Sequence, residues 1–278
     1  MTDEIINKKY NILNKIGNGT FGTIYNGFNI RTNEGVAIKK DNINNQLSLL
    51  KNETIIYNHL KNVQHIPSLK WFGKDNMNYY LVIELLGRSL ENVIKEYKTF
   101  SLNVVLKIGI KILRILKDVH SAGIIHRDIK PDNFLFGLNK ESSELYIIDF
   151  GLSRHYILND THCGIKKTNG LIGSLTYASI NAHKHVSLSR RDDLESLSYM
   201  LVYFYFGNLP WRNVDEDECV ENKNNKIMKM KEQILETSQL PNILANFIKI
   251  IKKIEFNEIP KYDLYINNFV KHLSKNYL

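Results

Sequence analysis

The chain has 278 residues, of which 43% are hydrophobic and 24% charged, and it carries a formal net charge of +8 with only two cysteines. This length fits one large domain or two small lobes around a cleft, and the composition is typical of a globular enzyme. No apolar run is long enough to span a bilayer, and the polar, acidic N-terminus lacks the h-region of a signal peptide. Cys163 and Cys219 form no CxxC pair, which argues against a zinc site or a disulfide framework. We therefore expect an intracellular protein, cytoplasmic or nuclear.

The positive charge has three interpretations. It is compatible with a nucleic-acid or membrane-surface binder, with a face that attracts acidic or phosphorylated protein segments, and with a solvated lysine-rich surface. The lysines are spread along the chain without a long basic tail, which favours the solvated surface. We expect neither a membrane nor a nucleic acid as a partner.

The first part of the chain is typical of a β-sheet with one helix. The pattern predicts a hairpin over residues 10–27, a strand over 35–39, a helix over 46–60, and strands over 71–73 and 79–84. In the helix, the apolar residues available for packing are Leu47, Leu50, Ile55 and Tyr57.

After Gly87 the pattern changes to helix. Ser101 is a candidate N-cap for a long amphipathic helix over residues 102–119, which residues 121–123 end. Short strands follow at 123–125, 134–136 and 145–148, and a largely apolar helix covers 194–206. An acidic stretch lies at 215–218. We predict one α+β domain over 1–278, bilobal, with a β-rich N-lobe over about 1–84, a hinge over about 85–88 and a mainly helical C-lobe over about 89–278.

Residues 17–22 form a GxGxxG pattern within the predicted hairpin. A dinucleotide-binding fold would require a helix directly after the glycines, whereas Ile24 and Tyr25 lead into another strand. A glycine-rich hairpin whose backbone N–H groups approach phosphates fits better. Lys39 lies on the next strand, within reach of whatever the hairpin covers, and a buried lysine there needs a counter-charge. Glu53 is the candidate partner.

Of all the motifs in the sequence, the loop from His126 to Asn133 indicates a particular chemistry most strongly. Transfer of a phosphoryl group to a hydroxyl requires an acceptor for the proton and ligands for magnesium. Asp128 can face the hydroxyl, Asn133 can offer an amide oxygen to the metal, and Lys130 can balance charge on the γ-phosphate.

Asp149 follows an apolar strand and precedes Phe150 and Gly151. A carboxylate at the end of a strand is suited to hold Mg²⁺ that bridges phosphates. Together with the glycine hairpin, the strand lysine and the 126–133 loop, in this order, the motif matches the protein-kinase signature set.

More narrowly, the sequence resembles casein kinase I along essentially its whole length. The segments that carry the resemblance are LLGRSL at 85–90, HRDIKPDNFL at 126–135, GSLTYASIN at 173–181, SRRDDLESL at 189–197 and LPW at 209–211. Ser179-Ile180-Asn181 stands where most kinases have APE, as is usual in that family.

The resemblance implies an ATP- and Mg²⁺-dependent serine/threonine protein kinase that acts on protein substrates. The positive charge makes acidic proteins candidates among these substrates, and we expect a monomer. Asp128 is then the catalytic base with Lys130 beside it, Asn133 and Asp149 hold magnesium, and Asp193 braces the 126–133 loop. Ile83 takes the gatekeeper position, and the backbone near Leu85 and Leu86 binds adenine. The residues expected at the ATP site are Ile16, Gly17, Asn18, Gly19, Thr20, Phe21, Gly22, Ile24, Ala37, Lys39, Glu53, Ile83, Glu84, Leu85 and Leu86.

The sequence departs from that family at Thr176, where relatives have an arginine that helps to bind an anion. A threonine cannot make a bidentate charge-assisted contact, so we expect a weaker preference for phosphate-primed substrates. The acidic stretch at 215–218 is a second departure. Ser153, Thr161, Thr168 and Ser174 are candidate phosphorylation sites. The alternative function is a pseudokinase scaffold that binds nucleotide and partners without catalysis.

Overall fold

A computed structural model describes residues 4–19, 22–44, 47–212, 214, 219–237 and 239–275. The chain divides into two compact units. The first consists of Met1–Arg88 and Phe134–Ser153, and the second of Ser89–Asn133 and Arg154–Leu278. The stretch 134–153, which the sequence placed in the helical part, thus packs with the β-rich residues. The assignment of the whole chain to one domain stays a prediction.

The first unit is built on a six-stranded antiparallel sheet with the strand order β1-β2-β3-β4-β6-β5. Its strands are β1 (Glu4–Ile6), β2 (Tyr10–Gly19), β3 (Gly22–Asn29), β4 (Gly35–Asn42), β5 (Leu69–Lys74) and β6 (Asn78–Glu84). Helix α1 (Leu47–His59) lies between β4 and β5 in the chain. A small hairpin of β8 (Phe134–Phe136) and β9 (Leu145–Ile147) and the 3₁₀ turn Phe150–Leu152 complete the unit.

One face of this sheet forms a hydrophobic core. Because side chains alternate along a strand, the inward set includes Val36 and Ile38 of β4 and Tyr80 and Val82 of β6. All four are at most 1% exposed. The predicted hairpin and strands of this part of the chain are confirmed.

The predicted helix α1 is present, but the residues that face the interior differ in part from those predicted. Leu50, Ile56 and Tyr57 are each 1% exposed, whereas Ile55 is 60% exposed. Positions 50, 53, 54 and 57 follow three- and four-residue steps and share the buried face, while 55 lies on the opposite side. The expectation that Ile55 packs inward was therefore wrong. The side chain of Leu47 lies outside the described residues.

The second unit is mainly helical. Its helices are α2 (Leu90–Tyr97), α3 (Leu102–Ser121), α4 (Ile180–His183), α5 (Arg190–Phe206), α6 (Val220–Glu232), α7 (Asn242–Ile251) and α8 (Tyr262–Lys275). Its short strands are β7 (Ile124–Ile125), β10 (Arg154–His155), β11 (Ile157–Leu158) and β12 (Thr161–His162). Helix α3 packs against α5 and α8, and most of α5 is buried, as its apolar sequence predicts.

The ends of α3 follow from its sequence. Ser101 occupies the N-cap position with extended backbone, although its side chain makes no capping bond. Gly123, just beyond the helix, has φ +81°, which a glycine adopts without steric cost. The acidic stretch 215–218 lies outside the described residues. Within the part of the chain that is described, no helix has the length and hydropathy of a membrane span.

Candidate active site

In the first unit, Lys39 links two carboxylates that are far apart in the sequence. Its Nζ lies 2.8 Å from Oε2 of Glu53 on α1 and 2.9 Å from Oδ1 of Asp149. Lys39 and Glu53 are both buried. The predicted ion pair between Lys39 and Glu53 is therefore present, and Asp149 joins it.

Burial and mutual charge set the ionisation of this cluster. Burial lowers the pKa of Lys39, but the charges of Glu53 and Asp149 outweigh it and hold the pKa above its usual value. Burial raises the pKa of the Glu53 carboxyl to about 7, against the opposing charge of Lys39. The charges of its two carboxylate neighbours therefore keep Lys39 protonated, while burial opposes the ionisation of Glu53.

Helix α1 also holds the segment that follows Asp149. Nδ2 of Asn52 lies 3.4, 3.1 and 3.0 Å from the carbonyl oxygens of Phe150, Gly151 and Ser153. The Tyr57 hydroxyl accepts a hydrogen bond from the backbone N–H of Asp149 at 3.4 Å. Sequence reasoning missed Asn52 and treated Tyr57 only as a packing residue. Asn52 could have been found as the polar neighbour of Glu53 on the inward side of a helix.

Strand pairing places several predicted ATP-site residues on one face of the sheet. Ile24 pairs with Lys39, and Ala37 pairs with Ile83. Since paired residues share a face and residues two apart along a strand share it too, all four lie together, opposite the hydrophobic core. Ile24, Ala37 and Ile83 are half-buried, so this face has apolar surface to offer a flat ring.

The glycine hairpin is present where the sequence predicts it. Gly17, Asn18 and Gly19 end β2, and Gly22 begins β3 with φ +136°. A Cβ at Gly22 would meet the Lys40 carbonyl oxygen at 2.5 Å, so only glycine fits. The predicted site residues Thr20 and Phe21 lie outside the described residues, as does the side chain of Asn18.

The remaining predicted ATP-site residues lie at the two ends of this region. Ile16 on β2 is 53% exposed. Glu84 ends β6, and its N–H donates to the Ser68 carbonyl while its carboxylate accepts from the Ser68 hydroxyl. Leu85 and Leu86 follow in non-helical, non-sheet backbone, and both are half-buried.

In the second unit, the carboxylate of Asp128 is held from both sides. Its Oδ2 accepts from Nζ of Lys130 at 2.6 Å, and its Oδ1 accepts from the backbone N–H and the hydroxyl of Ser174 at 2.9 and 2.7 Å. Asn133 donates from Nδ2 to the Asp128 carbonyl at 2.8 Å. Sequence reasoning named Asp128, Lys130 and Asn133 together but treated Ser174 only as a phosphorylation candidate.

Asp193, at the start of α5, fixes the backbone ahead of Asp128. Its two carboxylate oxygens accept from the N–H groups of His126 and Arg127 at 2.7 and 2.8 Å, and Oδ2 also contacts Nε2 of His120 at 2.9 Å. Burial would raise the pKa of Asp193, but these donors hold it below the ordinary value. The predicted bracing of the 126–133 loop by Asp193 is therefore observed.

In each unit, one non-glycine residue of the candidate site has a left-handed backbone conformation. Arg127, directly before Asp128, has φ 70°, and Asp149 has φ 66°. Left-handed backbone at a non-glycine residue costs on the order of 1 kcal/mol or more and persists where neighbouring contacts enforce it. Bonds from Asp193 and from α1, respectively, supply that enforcement.

Asn133 in the second unit and Asp149 in the first unit each carry a side-chain oxygen of the kind that a divalent cation takes as a ligand. Because Nδ2 of Asn133 donates to the Asp128 carbonyl, its Oδ1 faces away from this partner, and no described residue donates to it. Carboxylate and amide oxygens are the ligands that Mg²⁺ prefers. Across the described ranges, no cluster of three or more His, Cys, Asp or Glu side chains could hold a metal by itself.

Two groups of bonded side chains, which we call the two clusters, have now been described: Lys39, Glu53 and Asp149 in the first unit, and Asp128 with its partners in the second. A comparison with known protein families agrees with them. A family model described as the protein kinase domain matches residues 10–266, most of the chain. The α+β fold class predicted from the sequence, with a β-rich N-terminal part and a helical C-terminal part, is confirmed. The match includes every described residue of the two clusters. The chain therefore belongs to the protein kinase family, whose members transfer phosphate from ATP to protein substrates.

Proposed function

We propose that the chain is a catalytically active serine/threonine kinase of the casein kinase I type. It transfers the γ-phosphate of ATP to serine and threonine hydroxyls of protein substrates, with Mg²⁺ as the metal. The observation that carries the proposal is that the residues required for catalysis are present in both clusters and are bonded to one another within each. Lys39, Glu53 and Asp149 are bonded to one another in the first unit, and Asp128 is bonded to Lys130 in the second.

Each residue has a defined task in this proposal. Lys39 binds the α- and β-phosphates, and Glu53 orients it. Asp149 and Asn133 are the magnesium ligands, and bound Mg²⁺ supplies charge neutralisation for the phosphates. Asp128 receives the proton of the substrate hydroxyl, and Lys130 stabilises charge on the transferred group. The glycine hairpin, with the half-buried face of Ile24, Ala37 and Ile83, holds the nucleotide.

Serine/threonine specificity and the casein kinase I type rest on sequence features. Lys130, two residues after the proposed base, is the residue type of serine/threonine kinases, and its contact with Asp128 supports that role. The segments at 85–90, 173–181 and 189–197 support the narrower type. Within the last of these segments, Asp193 accepts from the N–H of His126, and Asp192 accepts from the N–H of Ser189 at the start of α5.

The decisive experiment is transfer of labelled phosphate from ATP to casein. We expect phosphoserine and phosphothreonine in the product, a requirement for Mg²⁺, and loss of transfer in both Asp149→Asn and Asp128→Asn. Asp118→Asn, at an exposed position of α3, is the matched control and should retain wild-type transfer. Nucleotide binding without transfer by the wild type would instead identify the pseudokinase alternative, and phosphotyrosine as the main product would contradict the specificity.

A further inference from the structure

Lys231, in the last turn of α6, is a lysine with no exposed surface. Lysines are almost never fully buried unless a partner offsets the loss of hydration. No described carboxylate lies within ion-pair distance of its Nζ. The role proposed above for the two clusters does not use this residue, so its burial requires a separate explanation.

The ammonium group of Lys231 has three acceptors for its three protons. Nζ lies 2.8 Å from the Leu175 carbonyl oxygen, 2.7 Å from that of Ala178, and 3.0 Å from Nε2 of His183. Nε2 accepts, because the other ring nitrogen of His183 lies 2.6 Å from the acceptor Oδ1 of Asn224 and therefore carries the proton. A neutral amine would have only two protons for three acceptors.

Two aromatic rings complete the enclosure. Nζ of Lys231 is 5.2 Å from the ring centre of Tyr199 and 5.5 Å from that of Trp211. Burial lowers the pKa of Lys231 to about 7, while the charge of Glu195 raises it. The ring faces and the three acceptors favour the cation against that desolvation.

What Lys231 holds is the segment from Ser174 to Ala178, which we call the 174–178 segment. The carbonyl of Ser174 accepts from the N–H groups of Tyr177 and Ala178, and that of Thr176 accepts from Nε1 of Trp211 at 2.8 Å. With the two carbonyls bound by Lys231, four of the five carbonyls of the segment have partners inside the second unit. The same segment presents Ser174 to Asp128.

We propose that Lys231 is a positioning residue that fixes the 174–178 segment, and through Ser174 the carboxylate of Asp128, for binding of the protein substrate. The inference rests on the proposed kinase function. Lys231 touches no substrate in this role. Its removal should act on the protein substrate and leave the nucleotide unaffected, because every contact of Nζ lies within the second unit, whereas Lys39 and the glycine hairpin belong to the first.

The test compares Lys231→Met with Lys229→Met, a matched control at an exposed position on the same helix. For Lys231→Met we expect KM for a casein peptide to rise about tenfold, which corresponds to about 1.4 kcal/mol, with KM for ATP within about twofold of wild type. Hydrogen exchange should accelerate at the N–H groups of Tyr177 and Ala178. The control should match wild type in all three measurements.

A folded Lys231→Met protein with wild-type peptide KM and wild-type exchange overturns the proposal. If this variant does not fold, Lys231→Gln replaces it, since the glutamine amide can still donate to the two carbonyls. We then expect a smaller rise in KM for the peptide, again with KM for ATP unchanged. Failure of both variants to fold would show that Lys231 supports the whole unit rather than this segment, and would also overturn it. If wild type transfers no phosphate, the kinase proposal fails, and the exchange comparison still decides whether Lys231 anchors the segment.

Discussion

The hydroxyl of Ser174 donates a hydrogen bond to Oδ1 of Asp128 at 2.7 Å, and its N–H donates to the same oxygen at 2.9 Å. The glycine before it makes this approach possible. Gly173 has φ +91°, and a Cβ there would lie 2.4 Å from the Arg127 carbonyl oxygen. The proposed base is therefore oriented from the 174–178 segment as well as from its own loop.

Replacing Ser174 by alanine should lower kcat. Asp128 would keep Lys130 but lose one hydrogen bond that holds its Oδ1, and we expect a fall of about tenfold, with KM for ATP unchanged. Ser174→Thr keeps the hydroxyl and serves as the control, with kcat near wild type. Steady-state kinetics on casein measure both. Equal kcat for the alanine and threonine variants would show that the backbone N–H alone positions Asp128.

Asn52 should stabilise the turn that follows Asp149. Asn52→Ala removes the donor to the carbonyls of Phe150, Gly151 and Ser153, and we expect the free energy of unfolding to fall by about 1 to 2 kcal/mol. Asn58→Ala, on the exposed side of the same helix, is the control and should cost less than about 0.5 kcal/mol. Urea denaturation of the three proteins measures the difference. A wild-type midpoint for Asn52→Ala would mean that these contacts add nothing to stability.

His183 should make stability depend on pH. Burial, and then the charge of Lys231, lower its folded-state pKa from 6.5 to about 4. Between these values the unfolded chain binds more protons than the folded one, so the free energy of unfolding rises with pH from about 4 to 6.5 and is lost as pH falls through that range. The loss should reach roughly 1 to 3 kcal/mol.

The measurement for His183 is thermal unfolding at several pH values between 4.5 and 7. His183→Gln keeps an acceptor for Lys231 without a titrating ring, and it should flatten this part of the pH profile. His59→Gln, at an exposed position in α1, should retain the wild-type profile. Parallel curves for His183→Gln and wild type would assign the pH dependence to other groups.

Thr176 should limit recognition of a phosphate already present on the substrate. Thr176→Arg introduces a guanidinium that can bind phosphate through two hydrogen bonds. We expect the ratio of kcat/KM for a phosphate-primed peptide to that for its unprimed form to rise about tenfold in this variant. Thr176→Lys adds charge without the planar fork and should give a smaller increase. A strong preference of wild type for the primed peptide would contradict the argument.

Local sequence patterns predicted most of the fold and of both clusters. The hairpin of residues 10–27, the helix around Glu53 and the helix ahead of the 126–133 loop all have clear periodicity, and the order and spacing of the motifs led to the roles proposed for Lys39, Asp128 and Asp149. Sequence patterns did not predict the contacts that join segments far apart in the chain. Ser174 lies 46 positions from Asp128, and Asn52 lies 98 to 101 from its acceptors. No periodicity links such residues, because only tertiary packing brings them together.

Lys231 shows the same limit in a different form. In the sequence it is one of several lysines in α6, and a charged residue in a polar helix is expected to face solvent. Its burial depends on carbonyls, rings and His183 from other elements, none of which the helix itself encodes. Ile55 is the converse case, an apolar residue whose exposure follows from helical phase that composition alone does not reveal.

The first unit is discontinuous in the chain, since Phe134–Ser153 packs with Met1–Arg88. During synthesis the ribosome therefore releases the β-rich residues long before the hairpin of β8 and β9 and the turn after Asp149 exist. The cluster of Lys39 and Glu53 is complete only after residue 149 has been synthesised, and the contacts of Asn52 only after residue 153. Contacts of such long sequence separation form slowly. A chain cut after residue 88 should accordingly need the 134–153 stretch supplied in trans to reach the native arrangement of this unit.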